Sequence, residues 1–273
     1  MMCADYVHGY SDREGRRLGD QATTLAGLLH ADVRFPAGST VLEAGCGVGA
    51  QTVVLAANSP GARFTAIDRS EDSLKAARDA VAERGFANVT FRQGDIFDLP
   101  FAPASFDHVF VCFVLEHLAE PQKALLRLKD ALKPSGTLTV IEGDHGSTFF
   151  SPDDEAARQT VRCLIEVQAR LGGDALIGRR LYPLMRAAGL GDVAVSPRFV
   201  YVDASRPELE EGFTRRTFAA MVEGVRAQAL EMGLIDAATW ERGIRGLRAA
   251  TGPEGTFCYT FFKGVGFKGV GRK

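Results

Sequence analysis

The chain is short of cysteine patterns. Cys3, Cys46, Cys112, Cys163 and Cys258 are odd in number and scattered, with no C-x-x-C pair. That spacing suggests neither a disulfide framework nor a zinc site, and the expected role is that of small buried apolar residues. Long apolar runs are missing too. None approaches the roughly 18 residues of a membrane span, so no membrane partner is expected. The opening "MMCADYVHGYSDREGRR" lacks the apolar core of a secretory signal, which makes the cytoplasm the expected compartment. Nor is there a sustained basic block. With a net charge of −2 over 273 residues, long nucleic acid is not an expected substrate. The basic ending "KGVGFKGVGRK" is short and glycine-rich, and is expected to be a frayed tail. No long internal repeat is present. A composition of 46% hydrophobic and 24% charged residues is that of an ordinary globular chain, able to bury a core.

What is present is an ordered alternation. "SDREGRRLGDQATTLAGLLH" opens with Ser11 three residues before Glu14, a capping box, and then sets Leu18, Ala22, Leu25 and Leu29 on one helical face. After Pro36 and Gly38 come a strand (Thr40 to Ala44), a glycine turn and a helix (Gly49 to Asn58). The strand "RFTAID", a helix from Ser70 to about Arg84, and the short strand "VTFRQ" ending near Asp95 follow. "FDHVFVCF" is a nearly continuous apolar run, as expected of a strand covered on both faces. The helix around Leu125, Leu128 and Leu132 stops at "KPSG", and "TLTVIEG" is the next strand. This spacing predicts βαβ units and a doubly wound, mostly parallel α/β sheet.

The pattern then changes. "SPDDEAARQTVRCLIEVQARLGG" is a helix with Ser151 as its cap, Pro152 at its first position and Asp154 at the box position; "GRRLYPLMRAAGL" is another, interrupted early by Pro183. Two late strands, "VAVSPRFVYV" and "TFCYTFFK", are separated by about fifty residues of helical pattern, an insertion of the size used for lids and binding faces. The domain reading is an N-terminal helical lid over 1–37, then one domain over 38–273 with helical cap insertions at about 147–180 and 205–253.

The stretch "VLEAGCGVGA" carries the chemistry. A strand feeding a glycine turn that opens a helix gathers unpaired N–H groups and the positive end of the helix dipole at one edge of a parallel sheet, where ligands bind. Read literally, Gly45 to Ala50 satisfies the dinucleotide fingerprint, with Asp68 at a distance suited to a ribose. Glu43 argues otherwise: a carboxylate where the turn begins repels a pyrophosphate and attracts an ammonium. Asp95, followed by apolar Ile96 and Phe97, suits an adenine whose exocyclic amine it accepts.

With these residues in place, the chain resembles the class I S-adenosylmethionine-dependent methyltransferases, of the small-molecule branch that includes the ubiquinone and sterol methyltransferase-like enzymes. The resemblance rests on Glu43, Gly45, Gly47 and Gly49, on Asp68, on Asp95, on "FDHVFVCFVLEHL" and on "LKPSGTL", spanning roughly residues 38 to 145. It implies a seven-stranded Rossmann-like sheet with "TFCYTFFK" as the antiparallel strand near the edge. It also implies S-adenosyl-L-methionine as cofactor, S-adenosyl-L-homocysteine as its product, and a small-molecule methyl acceptor. Asp68 would take the ribose hydroxyls with Arg69 beside the adenine, while Gly94, Asp95 and the backbone of Ile96 would read the base. The glycine turn, with Glu43 and Gln51, would lie against the methionine part, Phe113 and Glu116 would support the sulfonium side, and Tyr10 and Gln21 would reach in from the N-terminal helix. Asp68 could instead cap the helix beginning at Ser70, and Gly47 could instead serve only close packing.

Displacement at a sulfonium requires alignment in a dry cavity rather than a metal, and no metal site is expected. A hydroxyl or protonated amine needs a base; a carboxylate does not. His145, in "IEGDHG" just past the fifth strand, is the first choice for a base or substrate-orienting group, with Glu142 or Asp144 beside it to orient the imidazole. His117 is expected to serve local structure. Gln168, Arg179, Tyr182 and the 208–250 insertion would form the acceptor pocket, with Phe213, Phe218 and Met221 either lining it or belonging to the core. The expected function is methyl transfer to an oxygen (hydroxyl or carboxylate) or nitrogen of a small molecule. The alternatives are a donor-binding regulatory protein without turnover and a nicotinamide-dependent oxidoreductase, although Glu43 together with Asp95 argues against the latter. The helical insertion would serve a homodimer as readily as it would cover a pocket.

Overall fold

Along the central strands, alternate side chains are apolar on both sides, so both faces of the sheet must be covered. In β4 (Phe106–Cys112), Phe110 and Cys112 belong to the core on one face while Val109 and Val111 belong to the core on the other. A computed structural model describes residues 24–269. Tyr10, Gln21, the Ser11 to Glu14 capping box and Cys3 lie outside them.

The chain runs from a helix whose described part, α1, covers 24–30, through β1 (Thr40–Ala44), α2 (Ala50–Asn58), β2 (Arg63–Asp68), α3 (Glu71–Glu83) and β3 (Val89–Gln93) to β4. A short 3-10 turn (Leu115–His117), α4 (Pro121–Ala131), β5 (Leu132–Ser151) and α5 (Glu155–Arg170) follow. A second 3-10 turn (Ile177–Arg180) leads into α6 (Leu181–Ala187) and β6 (Leu190–Val202). Then α7 (Pro207–Leu209) continues as a π-helical stretch (Glu210–Ala219) into α8 (Ala220–Gly224), before α9 (Arg226–Glu231), α10 (Ala237–Ala249) and β7 (Thr256–Lys268).

The seven strands lie in the order β3-β2-β1-β4-β5-β7-β6, all parallel except β7, which is antiparallel to both neighbours. The expected sheet, with its antiparallel strand one in from the edge, is the one observed. Because β2 and β3 lie on one side of β1 and β4 on the other, the strand order reverses between β1 and β4. The crevice outside their carboxyl ends is where such sheets bind ligands. One face is covered by α1, α5 and the helices between β6 and β7, and the other by α4 and α6. Cys46, Cys112, Cys163 and Cys258 are free and buried.

Four sequence expectations are corrected. The fifth strand does not end at Gly143 but runs to Ser151, because β7 pairs with it through Ser151↔Thr256 after an irregularity between Asp144 and Phe149. Ser151 therefore belongs to a strand, and the cap of α5 is Asp154, whose side chain accepts from Ala157 N. Replacing Asp154 by Ala is expected to cost about 1 kcal/mol in urea unfolding, and Ser151→Ala much less. Pro183 does not interrupt its helix; it sits in the first turn of α6, where its missing N–H has no intrahelical partner to lose. The basic ending is not frayed as far as Lys268, since it forms the second half of β7 between β5 and β6.

Candidate active site

The switch-point turn is built by backbone. Gly45 N and Cys46 N both donate to Ile67 O, 2.8 and 2.9 Å, which folds the chain back over the end of β2. The two later glycines do different work. At Gly49 (φ +80°) an added Cβ would come within 2.8 Å of Ala77 Cα, so this position lets α3 pack against the start of α2. At Gly47 (φ +52°) an added Cβ would meet nothing within 4 Å among the described residues, so their packing does not require a glycine there. Gly45 allows Val114 to approach, an added Cβ there lying 2.5 Å from Val114 Cγ2.

Around this turn the carboxylates take distinct positions. Asp68, ending β2, accepts from Gly47 N through Oδ2 and from Ser70 N through Oδ1, both at 2.9 Å. Ser70 itself caps α3, accepting from Ser73 N, so Asp68 ties the helix start to the glycine turn rather than acting as the cap. Asp95 follows β3 and accepts from Phe97 N at 2.8 Å, with Ile96 buried next to it and Gly94 N donating to Asp68 O. The Arg69 carbonyl accepts from Gln93 Nε2. Gln51, expected at the methionine part, pairs its Oε1 with His30 Nε2.

Glu43 is buried at 2% exposure, and its Oε2 has no hydrogen-bond partner among the described residues. Burial pushes its carboxyl up to about 8; the Thr52 hydroxyl opposes the rise and the nearby charge of Asp68 adds to it. An orphaned acceptor at the strand end that feeds the glycine turn fits the ammonium and methionine part of a nucleoside sulfonium, and does not fit a pyrophosphate.

On the β5 side of the crevice, His145 is buried at 3% exposure, and its Nδ1 lies 2.7 Å from the Tyr259 hydroxyl. Its Nε2 faces Glu116 Oε2 at 3.8 Å. The expectation that Glu142 or Asp144 orients this ring is corrected. Glu142 Oε1 accepts instead from Val114 N (3.0 Å) and Leu115 N (2.7 Å), and Asp144 is held by Arg179 through two bonds of 2.6 and 2.7 Å. His145 is also not past the fifth strand but within its span, at the irregularity.

Gln168 is fully buried and donates to Glu116 O at 3.0 Å, while Phe113 (φ +57°) packs its ring 5.4 Å from that of Phe261. Arg179 is thus committed to Asp144, and Tyr182 stands exposed on α6. Phe213 and Phe218 are buried core residues within a ring cluster that includes Tyr259, and the Phe218 ring meets His145 edge-on at 6.1 Å. Met221 belongs to the same core. His117 Nε2 lies 3.5 Å from Glu116 Oε1, on the outer side of that carboxylate. Tyr259 was not foreseen from the sequence; its one signal is a hydroxyl set among apolar residues in "TFCYTFFK". Among the described residues no helix is long and apolar enough to cross a membrane.

A doubly wound sheet with a glycine turn, a ribose-distance acid and a buried free carboxylate at its switch point defines an α/β domain of the nucleoside-binding class. Residues 36–189 match the model of the methyltransferase domain family, and the chain belongs to that family. It is 33% identical over 215 residues to an uncharacterized 37.1 kDa protein in transposon TN4556 of Streptomyces fradiae, the match covering 76% of this chain and 61% of that one. It is 32% identical over 111 residues to the demethylmenaquinone methyltransferase of Listeria monocytogenes, covering 40% of this chain and 47% of the relative. The chain spans about half the length of the curated relatives it matches. Among solved structures it is similar in fold to Haemonchus contortus phosphoethanolamine N-methyltransferase 2 in complex with phosphomonomethylethanolamine and S-adenosylhomocysteine. That similarity has a TM-score of 0.58 and 16% identity, over 94% of this chain and 58% of that one.

Proposed function

We propose that the chain is an S-adenosylmethionine-dependent methyltransferase acting on an oxygen or nitrogen of a small molecule and releasing S-adenosylhomocysteine. The observation that carries this reading is the orphaned, buried Glu43 Oε2 at the strand end that feeds the glycine turn, where no described residue fills the space at Gly47. The family match and a relative that is a demethylmenaquinone methyltransferase support it. When bound, the cofactor supplies a methyl group on a sulfonium whose sulfur leaves as a neutral thioether.

Glu43 receives the ammonium of the methionine part, and Asp68 receives the ribose hydroxyls. Each Asp68 oxygen keeps a free lone pair beside its backbone donor, so the turn need not open for ribose to bind. Asp95 and the Ile96 backbone hold the adenine, with Arg69 beside it, and Phe113 and Glu116 line the sulfonium side. The segments over 147–180 and 205–253 cap the acceptor, which Gln168 approaches from α5.

His145 is the group assigned to take or orient the acceptor's proton, held between Tyr259 and Glu116. His145→Ala is expected to lower kcat by about 10²- to 10³-fold, with S-adenosylhomocysteine affinity unchanged by calorimetry. Full activity in that variant removes the assignment while leaving the donor site intact. The reading as a whole is tested by incubating the protein with S-adenosylmethionine and a chemically mixed acceptor panel, following methyl transfer and S-adenosylhomocysteine release by mass spectrometry.

A further inference from the structure

The His145 ring has two nitrogens, and the neighbours of each decide which one carries the proton. Its Nδ1 lies 2.7 Å from the Tyr259 hydroxyl, and its Nε2 faces Glu116 Oε2 at 3.8 Å. Tyr259, on β7, is 1% exposed and packs among the rings of Phe213, Phe218 and Phe261, at centroid separations of 5.5, 5.6 and 4.7 Å. β5 leaves a place for its hydroxyl: an added Cβ at Gly143 would lie 2.3 Å from that oxygen. The hydroxyl is thus fixed in position, and among the described residues His145 Nδ1 is the one acceptor within hydrogen-bond distance of it.

A phenol in that place keeps its proton. Burial, then the charges of Glu116 and Asp144, push the hydroxyl well above its ordinary value, against the Asp144 backbone N–H. A buried O–H left without an acceptor is costly, so the ways of arranging the pair are unequal. With Nδ1 unprotonated, the Tyr259 O–H donates to it, and the proton on Nε2 points toward a carboxylate. With Nδ1 protonated, the ring donates to the Tyr259 oxygen, and the phenol proton has no acceptor among the described residues. If Nε2 is then bare, its lone pair also faces the Glu116 carboxylate; if it is protonated, the phenol proton is stranded all the same. Contacts on opposite sides of the ring therefore select one state.

We infer that Tyr259 is a positioning residue that fixes His145 in the tautomer with its proton on Nε2, so that His145 serves the reaction as a hydrogen-bond donor and not as the base. This rests on the assignment of His145 in the reading above, and narrows it from taking or orienting the acceptor's proton to orienting. The neutral ring spends its single lone pair on Tyr259, so none remains on the Glu116 side to remove a proton. What remains there is an N–H, which holds a lone pair of the acceptor in place.

The test uses the full chain labelled with nitrogen-15 histidine, its imidazole nitrogens followed by NMR near neutral pH, with His145→Gln identifying the His145 signals by their loss. A proton on Nε2 and none on Nδ1 is the expected result, with the Nδ1 resonance displaced toward that of a nitrogen accepting a hydrogen bond. In Tyr259→Phe that displacement is expected to disappear. In the same variant, S-adenosylhomocysteine affinity is expected to hold within about twofold, and methyl transfer to the mixed acceptor panel to fall about tenfold, the loss of roughly one hydrogen bond. A proton on Nδ1 in the unsubstituted protein overturns the inference, and decides it even if Tyr259→Phe folds poorly. An Nδ1 resonance that stays in place in Tyr259→Phe, or undiminished methyl transfer there, overturns it too. Failure of S-adenosylhomocysteine to bind overturns the donor reading and removes the reaction from the inference, while the tautomer, read in ligand-free protein, is unaffected.

Discussion

Glu43→Gln is expected to weaken S-adenosylmethionine binding by about 10²-fold or more and, in the same protein without ligand, to raise the melting temperature. The two effects have one cause. Burial lifts the Glu43 carboxyl from 4.5 to about 8, so the folded chain keeps a proton there that the unfolded chain releases. A carboxyl raised on folding contributes its stability in full below pH 4.5 and loses it as pH climbs toward 8. At pH 7 that loss is on the order of 3 kcal/mol, and a glutamine, which has no proton to lose, does not suffer it. The stability advantage of the variant therefore grows from pH 5 to pH 8. Thermal unfolding across that range, beside calorimetry with the donor, checks both halves. A variant that binds normally shows that Glu43 faces no cation.

The glycine turn gives the second large effect, as a contrast. Gly49→Ala would force a Cβ to 2.8 Å from Ala77 Cα at a φ of +80°, combining overpacking with a left-handed backbone. Its expected cost is about 3 kcal/mol in urea unfolding. Gly47→Ala meets nothing within 4 Å among the described residues and carries the left-handed cost of about 1 kcal/mol. Its Cβ, however, enters the cradle, and donor affinity is expected to fall at least about tenfold, the loss of roughly one buried hydrogen bond. Equal stability losses in the two variants, or unimpaired binding in Gly47→Ala, would show that the turn serves packing alone.

The first half of the fold is readable because its signals are local. β1, the glycine turn, α2 and Ser70 as the cap of α3 follow from patterns a few residues wide, and Asp68 and Asp95 fall where strands end. What stayed hidden depends on pairing between distant segments. β5 continues past Gly143 because β7 lies against it, with Asp144 opposite Thr260, and the same pairing orders the glycine-rich ending. That register also carries Tyr259 to His145, 114 residues away in the chain. Glu142 and Asp144 looked like partners of His145 because they neighbour it in sequence. Successive residues in a strand point to opposite faces, however, so chain neighbours are seldom side-chain neighbours. The His30–Gln51 pair was hidden for a similar reason, since His30 is brought to Gln51 by α1, far from the motif.

The pairing of Glu43 with a cationic ligand is measured most directly by titrating S-adenosylmethionine and S-adenosylhomocysteine into ligand-free protein by calorimetry, from pH 6 to 8 and in two buffers of different ionisation enthalpy. Asp68 is the charged neighbour of Glu43, while the buried thiols of Cys46 and Cys112 stay neutral because burial pushes both up. The titration is thus expected to report Glu43. Binding at one site, with affinity rising up to about tenfold per pH unit below pH 8 and close to one proton released per ligand at pH 7, is the expected result. Absence of heat with either ligand, or an affinity that falls as pH rises, as for a ligand bearing a pyrophosphate, contradicts the account.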